Sequence, residues 1–183
     1  MKKLFLLLTL SLFTLSFVNA QEEIVFSENI QDTFFGVKFG ASREEVIRAF
    51  EKEGLYLDNM HSTNAKLFFK PLAKYFSFGG MSWDFIQVHL SNGKFYLIQF
   101  AHENNETVLN ELELLLSSLA SKYKMNDTKS IEDKTYYKKS FAISDDNFVQ
   151  VSCKRVSTDS EIKYRIYLLY MNDKLKNKPS DEL

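Results

Sequence analysis

Three histidines, one cysteine and the adjacent acids Asp145-Asp146 and Asp181-Glu182 are the residues of this 183-residue chain with the widest chemical reach. His89 and His102 lie in a run of aromatic and β-branched residues, whereas His61 lies in a polar stretch. Two histidines on one strand face suggest a metal site, because neutral imidazole is a common ligand. On an extended hairpin these two stand about six or seven residues apart along the strands, or about 20 Å. No second pair of ligands lies near them, so neither a metal nor another cofactor is expected. Cys153 belongs to Phe148-Val149-Gln150-Val151-Ser152-Cys153, where alternation places it with Val149 and Val151. A buried structural thiol is the expectation, since a catalytic thiol requires a histidine partner that the sequence does not place. With a single cysteine, no intramolecular disulfide forms. Asp145-Asp146 and Asp181-Glu182 are neighbours on the chain, and neighbours on an extended segment point apart. They read as solvated charge, because paired-carboxylate hydrolysis needs acids brought together from afar. Gly-x-Ser-x-Gly, a phosphate-binding glycine loop and His-Glu-x-x-His are all missing, so no residue is assigned as catalytic.

The histidines must be positioned by the stretch from Trp83 to His102. Asn92-Gly93 separates Trp83–Leu90 from Phe95–His102, and Asn-Gly between two β-rich runs is the strongest short-range hairpin signal. A two-residue loop sets cross-strand pairs. Leu90 then faces Phe95, Val88 faces Leu97 and Ile86 faces Gln99 on a mostly aliphatic side assigned to the core. On the other side His89 faces Tyr96, Gln87 faces Ile98, Phe85 faces Phe100 and Trp83 faces His102. A strand open on one side reads polar there, yet this face holds Trp83, Phe85, His89, Tyr96, Phe100 and His102. Either other elements cover it, or it is an aromatic recognition surface for a ligand or partner.

Around the hairpin, the chain alternates helix and strands. Ser42 with Glu45 three residues later is a capping box, and Gly54 is a C-terminal stop, which predicts a helix over 43–53. Short strands are expected at Lys66–Lys70 and at 74–82, the latter broken or bulged by Gly79-Gly80. Val108, Leu109, Leu112, Leu115, Leu116, Leu119 and Tyr123 recur at helical spacing, predicting an amphipathic helix over 106–123 capped by Asn104 or Asn105. A polar connection over 125–134 leads to three strands near 135–143, 147–156 and 162–171. The expected fold is α+β, with two helices on one face of a meandering antiparallel sheet and two α-β-β-β halves over about 34–103 and 104–171.

Lys2 and Lys3, the apolar run Leu4–Val18 and the small-residue site Val18-Asn19-Ala20 read as a signal peptide over residues 1–20. The domain then covers 21–171, and 172–183 is a polar tail. Export to the periplasm or the extracellular space follows, with no integral membrane segment in the mature chain. Removing Lys2 and Lys3 leaves 21 basic against 24 acidic residues, or −3. Such a near-neutral surface argues against nucleic acid as a partner.

The order Phe35-Gly36-Val37-Lys38-Phe39-Gly40-x-Ser42-x-x-Glu45-Val46, the step Phe76-x-Phe78-Gly79-Gly80 and the leucine-rich helix ending Lys122-Tyr123 resemble a family of secreted Bacteroidetes proteins of unknown function. The ending Ile166-Tyr167-Leu168-Leu169-Tyr170-x-x-Asp173-Lys174 is similar to that family's as well. More loosely, the layout resembles tandem helix-plus-sheet domains of β-lactamase-inhibitor-like and outer-membrane-assembly lipoprotein families. That second resemblance implies binding of other proteins through a sheet face. The leading expectation is therefore a non-enzymatic binding or interaction module whose partner is another envelope protein. The alternatives are an envelope hydrolase with dispersed catalytic residues and a structural envelope subunit.

Overall fold

The computed structural model of the protein describes residues 25–104, 108–128, 136–157 and 162–176. The elements run β1 (Thr33–Phe34), β2 (Val37–Lys38), α1 (Arg43–Lys52), β3 (Leu55–Leu57), β4 (Lys66–Pro71), β5 (Phe76–Phe78), β6 (Met81–Trp83), β7 (Phe85–Ser91) and β8 (Lys94–Asn104). They continue through α2 (Val108–Ala120), β9 (Asn126–Thr128), β10 (Tyr136–Ile143), β11 (Asn147–Ser157), β12 (Ile162–Asn172) and α3 (Asp173–Lys176). The result is α+β, with helices and antiparallel sheets.

Asn92 and Gly93 sit at φ 50° and 74°, the backbone that a type I′ turn requires, and the hairpin joins β7 to β8 there. Ser91 pairs with Lys94 and Leu90 with Phe95, as the two-residue loop dictates. Beyond Phe95 the expected register fails. Leu97, rather than Tyr96, stands opposite His89, so Tyr96 is the extra residue of a β-bulge. Because side chains alternate with period two, this one-residue slip exchanges the faces of the rest of β8. Val88 now pairs with Ile98 and Ile86 with Phe100, while Phe85 meets Ala101 and Gln87 meets Gln99. Trp83 pairs with Phe76 in a separate two-stranded sheet, and His102 pairs with Ile166.

An eight-stranded sheet carries the order β3-β4-β7-β8-β12-β11-β10-β9, antiparallel throughout. The first four strands precede α2 and the last four follow it, and the β8–β12 seam fuses them into one sheet. Glu45 N–H donates to Ser42 Oγ at 3.3 Å and Ser42 N–H donates to Glu45 Oε2 at 2.7 Å, closing the capping box on α1. Val46 and Phe50 of α1 and Val108, Leu112, Leu115 and Leu119 of α2 bury into one cluster with Leu67, Phe69, Ile86, Val88, Ile98, Phe100, Ile166 and Leu168 of the sheet. Both helices therefore cover the same sheet face. The expected cap of α2 at Asn104 or Asn105 and its first turn involve residues 105–107, outside the described residues. The expected signal peptide over residues 1–20 likewise lies outside them.

Several segments depart from the sequence reading. Gly79 and Gly80, at φ 63° and 80°, turn the expected single strand at 74–82 back on itself as the β5–β6 hairpin. Phe35 and Gly36, at φ 51° and 80°, form a third such turn between β1 and β2. This hairpin seats Phe34 at the centre of the core, with ring centroids 5.1–6.4 Å from Phe39, Phe78, Phe95, Phe100 and Tyr170. The polar connection contains β9, and the tail begins with the helical turn α3. Cys153 is buried beside Val149 and Val151, and desolvation pushes its thiol up to about 11. It is a core residue, not a nucleophile.

Candidate functional site

The six aromatic and histidine residues expected on one recognition face separate into three places. Trp83 and Phe100 are wholly buried in the core. Trp83 Nε1–H donates to the Phe78 carbonyl at 2.8 Å, and the Phe100 ring stacks on Phe78 at 4.3 Å. Neither residue is available to a partner. Phe85, His89 and Tyr96 lie on the sheet face away from the helices, half-buried. His102 lies on the helix side. The two histidines therefore stand on opposite faces of the sheet. Among the described residues no group of three or more His, Cys, Asp or Glu is arranged to hold a metal ion.

The face away from the helices is the larger candidate surface. One row of successive cross-strand partners crosses it from Phe68 through Gln87, Gln99, Leu169 and Gln150 to Phe141. A parallel row runs from Lys66 through His89, Leu97, Met171 and Phe148 to Ile143. Every one of these side chains is half-buried. Packing on this face is lateral: Phe68 stacks on Phe85 at 4.8 Å and Phe141 on Phe148 at 5.9 Å. The Arg165 guanidinium stands 5.8 Å from both the Phe85 and Tyr167 rings and pairs with Glu103. Among its described residues the face also carries Lys66, Lys70, Lys154, Lys163 and Arg165, with Asp58 and Glu103. At its edge Lys70 Nζ and His61 Nδ1 lie 2.8 and 2.9 Å from Asp58 Oδ2, and together they pull that carboxyl down to about 2. His89 is held below the ordinary histidine range by burial and, secondarily, by the Lys66 charge.

On the helix side, a recess of about 430 Å³ opens between the Gly79–Gly80 turn, the end of β8 and α2. Met81, Leu114 and Leu115 supply its apolar wall, and Ser82, Ser118, His102 and Glu111 its polar wall. His102 Nδ1 lies 3.1 Å from Asp84 Oδ2, and Nε2 lies 3.2 Å from Glu111 Oε2. The Asp84 contact falls off the ring N–H direction, so it is Coulombic rather than a well-aligned hydrogen bond. Asp84 Oδ2 also accepts the Glu103 N–H at 2.8 Å. Asp84 foremost, with Glu111, raises the pKa of His102 above the ordinary value, against the opposing effect of burial. A carboxylate near each ring nitrogen favours the charged form of the imidazole.

Asp84 and Glu111, the partners of His102, escaped the sequence reading, as did the glutamine row. The one sequence signal for the row is the presence of Gln87, Gln99 and Gln150 within strand-like runs. Comparison with protein-family models, curated proteins and solved structures yields no match.

Proposed function

We propose that this protein is an exported, non-enzymatic binding module that holds a partner polypeptide against the open face of its sheet. The observation that carries this reading is the unbroken row from Phe68 to Phe141, half-exposed across six strands. A sheet face with no partner reads polar. This one mixes aromatic and aliphatic side chains with amides, the composition of a recognition patch ringed by polar groups. The layout supplies the division of labour, since α1 and α2 cover one face and leave the other for recognition. The signal-like N-terminus places the encounter in the periplasm or extracellular space, with another envelope protein as the partner. The resemblance to families that bind proteins through a sheet face supports the same reading.

The test is affinity capture from envelope extract with the wild type and with Gln99→Glu/Gln150→Glu, which puts two negative charges at the centre of the row. Wild type retains a discrete partner, and the folded variant loses it. Equal recovery of every retained protein by both forms overturns the reading.

A further inference from the structure

The open face does not end at β10. In the N-terminal arm, Phe26 pairs with Ile143 as an isolated parallel bridge, and Ser27 N–H donates to the Ile143 carbonyl at 2.7 Å. Bridge partners point to the same side of a sheet, so Phe26 extends by one strand position the row that ends in Phe148 and Ile143. Ser27 and Ile30 are buried and anchor the arm, whereas the Phe26 side chain is 59% exposed. Further bonds fix the seat. Ser27 Oγ accepts the Lys124 N–H at 2.6 Å, and the Asn126 carboxamide donates to the Val25 carbonyl at 3.2 Å. Phe141, Phe148 and Ile143 are half-buried, so Phe26 is the least covered member of an apolar end to the face. An exposed aromatic continuous with such a patch marks a contact surface, because a complex can realise the burial that folding leaves unrealised. Away from this end, the face carries the carboxamides of Gln87, Gln99 and Gln150. A polypeptide brings peptide groups to pair with those amides as well as an apolar side chain for Phe26. A lipid chain would cover the aromatic end and leave the amides unpaired.

We propose that the N-terminal arm is part of the recognition face and that Phe26 anchors an apolar side chain of the partner polypeptide. This inference rests on the reading of the open face as a partner-binding surface. It adds to that surface a contact from outside the eight-stranded sheet, delivered by a segment whose seat at Lys124, Asn126 and Ile143 lies about a hundred residues further along the chain.

The test is photocrosslinking of the full chain in living cells, with a benzophenone amino acid in place of Phe26 or of Gln99. Both positions capture the same polypeptide, identified by mass spectrometry. With the probe kept at Gln99, Phe26→Ser lowers the yield of that product at least about fivefold. Val25→Ser leaves the yield unchanged, because Val25 is the preceding residue of the extended arm and points to its other side. Thermal melts of both variants establish that they fold. Capture at Gln99 but not at position 26 overturns the proposal and leaves the partner reading standing. So does a product at position 26 that is a second copy of this chain or a lipid, an unchanged yield with Phe26→Ser, or an equal loss with Val25→Ser. Capture at neither position refutes the partner reading itself, and this inference with it.

Discussion

Replacing Phe100 and Phe85 by alanine, one at a time, tests the bulge at Tyr96. In a bulge-free hairpin these two rings face one another on one side of the sheet and cost similar amounts to remove. Here they lie on opposite sides. Phe100 is wholly buried, stacks on Phe78 at 4.3 Å with an interplanar angle of 8°, and stands 5.5 Å from Trp83. Deleting a fully buried phenylalanine costs about 3–5 kcal/mol, the lost transfer energy plus the cavity left behind. Phe85 is half-buried, with Phe68 on one side and the Arg165 guanidinium near it. Half the burial energy of a phenylalanine, with a modest stacking contribution, comes to about 1–2 kcal/mol. The difference is then at least about 2 kcal/mol, which corresponds to about 4–8 °C in Tm for a chain of this size. Urea denaturation followed by far-ultraviolet circular dichroism measures both variants against the wild type. Equal destabilisation by the two substitutions refutes the register and, with it, the assignment of Phe85 to an open face.

Other consequences follow from burial and charge. Trp83 is the only tryptophan and is wholly buried, so fluorescence of the folded protein is blue-shifted and shielded from acrylamide. A red-shifted, readily quenched emission contradicts its place in the core. His102 links β8 to α2 through Glu111 and to Asp84, and its folded-state pKa lies above the ordinary 6.5. Its stabilising contribution is therefore complete below 6.5 while the carboxylates are ionised, and it is lost as pH rises through the raised value. His102→Gln lowers Tm most on the acid side of neutrality, by about 2–4 °C for about 1 kcal/mol, and the gap closes in alkali. A gap that widens with rising pH counts against the tether. Cys153, with its thiol pushed up to about 11 inside the core, stays inert to a thiol reagent until urea unfolds the chain. Rapid labelling of the folded protein shows otherwise.

Local chemistry made part of this fold legible and concealed the rest. The Ser42–Glu45 box and the Asn92–Gly93 turn are short-range hydrogen-bonding and dihedral effects, and both stand where the residues put them. The bulge at Tyr96 is a different matter. It lets Phe95 join Leu90 on the core side while Ile98 and Phe100 also point inwards, a compromise set by packing against Phe34, Phe39 and Phe78. No pairing rule within the hairpin contains those neighbours. A phenylalanine at positive φ, as at Phe35, is equally hard to foresee, because the strained backbone is held by ring contacts with Phe50 and Phe76. The site was less legible than the fold. His102 meets Asp84 and Glu111 only because the β6–β7 junction and α2 converge on the end of β8. The open face needed the eight-stranded order before Gln87, Gln99 and Gln150 could be seen as one row.

The most direct measurement of the binding claim is photocrosslinking in living cells, with a benzophenone amino acid at Gln99 on the open face or at Ser117 on the exposed side of α2. The account predicts one discrete crosslinked partner at Gln99 and none at Ser117. A partner captured at Ser117 but not at Gln99, or no crosslink at Gln99 in cells that contain the folded protein, contradicts it.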